Sequence, residues 1–109
     1  MEVITKENIQ ILKLTGSVLQ SEAEKFETFF KNSIEKKNTN IVVDLTEANH
    51  ICSSILGQLV FYKNSVKSTS GDIKLVIVDE DLLELFEITL LNKVFHIYNN
   101  LEYAIRTYQ

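Results

Sequence analysis

Residues 40–62, NIVVDLTEANHICSSILGQLVFY, decide the fold. Ile41, Val42 and Val43 form a β-branched apolar run suited to a strand buried on both faces. Leu56, Leu59, Val60 and Lys63 then recur at helical spacing. The stretch therefore reads as a central strand over residues 41–45, a short loop through His50, Ile51 and Cys52, and a helix opening at Ser53 and Ser54. Such a junction, where a buried strand feeds a helix N-terminus, is a natural place for function.

Working outward, residues 3–5 and 9–14 carry strand character. Lys6, Glu7 and Asn8 connect them tightly, so a β-hairpin is expected, with Gly16 ending its second strand. Ser21 followed by Glu24 has the spacing of a capping box. Ala23, Phe26, Phe30 and Ile34 then line one face of an amphipathic helix. After the second helix, residues 68–72 (STSGD) form a stop signal in which Gly71 is free to turn left-handed. Residues 75–78 make a second buried strand, and Leu82, Leu83, Leu85, Phe86 and Leu90 mark a third helix with a broad apolar face. Strands alternating with helices imply a largely parallel sheet.

Several segments in order resemble the STAS domain family, which includes bacterial anti-sigma factor antagonists and the cytoplasmic tails of sulfate transporters. The family opens its second helix with a motif of the type Asp-Ser-Ser/Thr-Gly-Leu-Gly. Residues 52–57 (CSSILG) match it at Ser53, Ser54, Leu56 and Gly57 and depart from it at Cys52 and Ile55. Residues 12–16 (LKLTG) resemble the strand and turn before the family's first helix, and residues 73–79 (IKLVIVD) its fourth strand. Residues 85–98 resemble its third helix running into a last short strand. Residues 101–108 resemble its closing helix, with Ala104 and Ile105 facing inward. The resemblance implies an α/β fold: a small mixed β-sheet, with an N-terminal hairpin strand and then mostly parallel strands. About four helices pack mainly on one side of it, within a single domain over residues 1–109.

Composition narrows the function. The chain has 109 residues and a formal charge of −4, and its 11 Lys and Arg residues are scattered. A nucleic-acid partner, which needs clustered bases to displace counterions, is not expected. Neither a signal peptide nor an apolar run of the roughly 20 residues that span a bilayer is legible, so no membrane insertion is expected. The lone Cys52 can form no internal disulfide, and the chain reads as a free-standing cytoplasmic module. Cys52 and His50 lack the partners of a metal site. The acids Asp79, Glu80, Asp81 and Glu84 read as charge at the start of the third helix, where the dipole favours them. No cofactor is expected and no catalytic constellation is legible, so the chain reads as a binding protein and not an enzyme.

The two serines admit two readings. Either can cap the helix, worth about 1 kcal/mol. The same helix N-terminus can also accept a phosphate, because its first N–H groups are unpartnered and the dipole is positive there. The resemblance implies the second. In the family the serine after the Asp is phosphorylated by a serine kinase of histidine-kinase-like ATPase fold that is also the anti-sigma factor. Ser53 holds that position, and Ser54 is the second candidate. A partner surface is expected at Leu19, Cys52, Ser53, Ser54, Ile55 and Leu56, within an apolar rim that also includes Val18 and Ile51. The family's acids before the serine and after the strand-ending glycine are replaced here by Cys52 and Leu19. That replacement keeps open a second function, a constitutive binding subunit of a larger assembly, such as a scaffold or a lipid-transport complex, without phosphorylation.

Overall fold

The computed structural model describes residues 1–109. In chain order the elements are β1 (Glu2–Lys6), β2 (Ile9–Val18), α1 (Ala23–Glu35), β3 (Asn40–Ile51), α2 (Ser53–Lys67), β4 (Asp72–Val76), α3 (Glu80–Ile88), β5 (Ile97–Tyr98) and α4 (Leu101–Arg106). The five strands form one sheet in the order β1-β2-β3-β4-β5. The β1–β2 hairpin is antiparallel and the other pairings are parallel. This is the expected mixed sheet, with the apolar run of β3 at its centre.

Alternation along β3 divides the core. Ile41, Val43 and Leu45 point to the larger apolar cluster, where they meet Phe26 and Phe30 of α1, Ile55 and Leu59 of α2, and Leu82 and Phe86 of α3. Val42 points the other way, joining Ile9, Ile11, Val76, Ala104 and Ile105 under α4. Three helices thus cover one face and the short α4 the other. Phe29, Phe30, Phe86 and Phe95 are all buried. Lys63, which falls on the apolar spacing of α2, is buried in an ion pair with Asp72 at the start of β4.

Four local expectations are corrected. First, β2 does not end at Gly16 but runs on to Val18. Gly16 takes φ +64 at an irregularity in the β2–β3 register, a left-handed backbone suited to glycine. Second, β3 does not stop at Leu45. Its polar second half pairs with the end of β2, bringing Ala48 opposite Gly16 and Ile51 opposite Val18, so His50 and Ile51 belong to the strand. Third, Ser21 does not cap α1. It lies in a 3-10 turn over Gln20–Glu22 that leads into the helix, and no side chain caps the start of α1. Fourth, Ser70 adopts the left-handed conformation after α2, with φ 61. Gly71 serves differently: a methyl group there would overlap the side chain and carbonyl oxygen of Thr39. At α3 the expectation holds, with the Asp79 carboxylate accepting from the Leu82 amide at 3.0 Å and Glu80 and Asp81 in the first turn.

Candidate functional site

The parallel ends of β2 and β3 fix the site. The Cys52 amide donates to the Val18 carbonyl at 2.9 Å, and the chain turns directly into α2. Cys52 is the N-cap residue in extended conformation, so neither serine is the N-cap. The helical ladder starts with the Leu56 amide donating to the Cys52 carbonyl at 3.1 Å. The amides of Ser53, Ser54 and Ile55 precede that first bond and form the donor end of the helix.

The two serines differ. Ser53 is exposed, while Ser54 is half-buried. The Ser54 hydroxyl bonds Gln20 Oε1, from the turn after β2, and lies 3.2 Å from Cys52 Sγ. Burial pushes the Cys52 thiol up, but the Ser54 hydroxyl and the amides of Ile55, Ser54 and Cys52 together outweigh it. The thiol therefore sits below its ordinary pKa.

Of the expected apolar rim, Val18, Ile51 and Ile55 are in the core, with Ile55 0% exposed. Ile55 is therefore withdrawn from the docking residues. Its side chain lies on the same helix face as Leu59, Tyr62 and Val66, which are also buried. Leu19 is 47% exposed, and Cys52 and Leu56 are half-buried. A shallow depression beside Ser53 is lined by Asn49, His50, Cys52 and Leu56, and across it by Asp81 and Leu85 of α3. Gln20, from the turn after β2, and Asp81 and Leu85, from α3, complete this site. No local spacing signals them, because they arrive from other elements.

No helix is long and apolar enough to cross a membrane. A family model described as the STAS domain matches residues 1–104. No curated protein sequence matches the chain. Among solved structures, one from Thermotoga maritima shares 22% identity with a TM-score of 0.88, covering 97% of this chain and 92% of that one. An anti-sigma factor antagonist from Mycobacterium paratuberculosis shares 18% identity with a TM-score of 0.85, over 97% and 90% of the two chains. The Bacillus cell fate determinant SpoIIAA in its phosphorylated form shares 14% identity with a TM-score of 0.79, over 99% and 98%. At such identities these likenesses concern the fold.

Proposed function

Because this chain belongs to the STAS domain family, we propose that it is a phosphorylation-regulated protein-binding module of the anti-sigma factor antagonist type, with Ser53 as the phosphoacceptor. The observation that carries this reading is the exposure of Ser53 on the first turn of α2, while Ser54 is held by Gln20 and Cys52. A kinase reaches Ser53 without unfolding anything. The phosphate formed there meets amide donors and the positive end of the helix dipole, so the fold accommodates it. Its effect falls on the partner: a bulky dianion beside Cys52, Leu56 and Asp81 disfavours docking through desolvation and like-charge repulsion. The partner is a serine kinase of histidine-kinase-like ATPase fold, acting also as the anti-sigma factor.

A second reading has its own support. Leu19 stands exposed where the family carries an acid, and Cys52 replaces the acid before the serine. An apolar contact of this kind suits permanent docking in a larger assembly.

Capture of partners from the source cell, with mass spectrometry of both partners and bait, separates the two. The switch requires a serine kinase among the partners, a gain of about 80 Da at Ser53, the mass of one phosphate group, and binding that Ser53→Asp weakens and Ser53→Ala preserves. Equal binding by the two variants, with Ser53 unmodified under every growth condition, leaves the constitutive subunit as the function.

A further inference from the structure

Strand β1 forms one edge of the sheet, and all five of its residues are exposed. The opposite edge, β5, is only 2 residues long. An open strand edge offers unpaired N–H and C=O groups to another strand, and proteins usually blunt it with charged side chains, a bulge, a proline or a cover. Of these β1 carries only charges, Glu2 and Lys6, which are opposite in sign. β1 has neither proline nor bulge, since it runs against β2 without a register shift. It also exposes apolar side chains on both faces, Val3 at 51% and Ile4 at 43%.

We propose that the β1 edge is a self-association surface whose occupant is β1 of a second copy of this chain, paired antiparallel about a two-fold axis through Ile4. In this register Ile4 meets Ile4, Val3 meets Thr5, and Glu2 meets Lys6, with each unlike pair formed twice by symmetry. It is the register that engages all five residues, and it also sets each acid against a base. Sliding it by one pair sets Val3 on Val3 or Thr5 on Thr5 and separates the charges. Oppositely charged residues directly across a strand pair are favourable and like charges unfavourable. The inner side of β1 already follows this rule. Glu2 lies opposite Lys13 of β2, and Lys13 pairs with Glu47 of β3 at 2.5 Å. Lys6 of the second copy extends that alternating row of charge by one strand. Because β1 ends opposite Lys13, the pairing leaves the last residues of β2, and Ser53 beside them, uncovered.

Sedimentation velocity of the full chain, with any purification tag placed after Gln109, tests the proposal between about 10 µM and about 1 mM, a range that detects weak association. The chain dimerises with rising concentration. Glu2→Lys and Lys6→Glu each weaken the dimer about tenfold or more, since both symmetric pairs turn from attractive to repulsive. Lys6 lies opposite the uncharged Ile9, so Lys6→Glu leaves the β1–β2 pairing of the monomer intact and is the decisive variant. Glu2→Lys also sets a base against Lys13 and is read beside its circular dichroism and urea midpoint. An equimolar mixture of the two variants dimerises again, because one strand then offers two bases and the other two acids in the same register. A chain that stays monomeric throughout, a dimer indifferent to either reversal, or a mixture that recovers nothing overturns the proposal.

Discussion

Leu19 and Ile55 have similar side chains and flank the same serine, yet one is nearly half exposed and the other wholly enclosed. The difference lies in what each side chain meets. Ile55 is on the helix face that packs on the sheet, together with Leu59, whereas Leu19 sits just past the end of β2, where the chain turns away into the 3-10 segment. Burying an exposed leucine in an interface contributes on the scale of a central contact, about 1–3 kcal/mol. Leu19→Asp should therefore reduce partner affinity about tenfold or more while leaving the denaturation midpoint nearly unchanged. Titration calorimetry against the partner beside urea unfolding checks both. A loss of stability with affinity intact would assign Leu19 to the fold. The helix start at Ser53 was legible because it is written locally, but the exposure of Ser53 depends on what packs around it and was not. The burial of Ile55 was half-legible: residues 55, 59, 62 and 66 have the spacing of the inward face, but the overlapping series at 56, 59, 60 and 63 competes with it. Leu56 and Val60 of that second series are in fact only half-buried.

Among the elements, the connection from α2 to β4 depends on a close approach that residue type alone does not reveal. Thr69 Oγ1 bonds Thr39 Oγ1 at 3.0 Å, and the Asp72 amide donates to the Thr39 carbonyl at 2.9 Å. Gly71 passes between them, against Thr39, with no room for a Cβ. Part of the obstruction is backbone, which cannot rotate away. Gly71→Ala should therefore cost about 1–3 kcal/mol, the scale of overpacking, read as a fall in urea midpoint at unchanged m-value. A neutral result would show that the turn shifts freely. The strand cores and the helices α1 to α3 are legible because their apolar residues repeat at fixed periods. The second half of β3 was not. Thr46, Glu47, Asn49 and His50 have no such pattern, and what makes them a strand is the backbone pairing offered by β2. The same holds for the 3-10 turn before α1: a sequence with capping-box spacing gives no side-chain cap there, and Gln20 of that turn bonds Ser54 at the start of α2.

Across the whole molecule, the C-terminal end closes the face of the sheet that α1, α2 and α3 leave open. Tyr108 lies just past α4, and its hydroxyl is 2.7 Å from the carbonyl oxygens of both Ile41 in β3 and Asp72 in β4. Lys74 crosses its ring, with Nζ 4.0 Å from the centroid, and donates to Thr107. Burial above all, and then the Asp72 carboxylate, holds the Tyr108 phenol far above its ordinary value of 10.0. The sign of the resulting pH dependence follows. Below about pH 10 the phenol is protonated in folded and unfolded chains alike, and the stabilisation is fully present. Above it the unfolded chain releases the proton while the folded chain retains it, so stability falls as pH rises, by up to about 1.4 kcal/mol per pH unit. Tyr108→Phe removes the hydroxyl and leaves two carbonyl oxygens with one partner fewer, costing about 1–2 kcal/mol at neutral pH. It also removes this alkaline slope. Tyr62, raised mainly by burial and then by Glu27, Lys13 and Lys31, raised by Glu47 and Glu27 respectively, and Lys74, lowered mainly by burial, also titrate at alkaline pH. Both proteins carry all four, and phenylalanine keeps the ring under Lys74, so the difference between the curves reports the Tyr108 hydroxyl. Urea unfolding at steps from pH 7 to 11 should give two stability curves that lie apart at neutral pH and converge above 10. Curves that stay parallel would mean that the phenol ionises equally in the folded and unfolded chain, and curves that coincide throughout would mean that the C-terminal end is held by the packing of Ala104 and Ile105 instead.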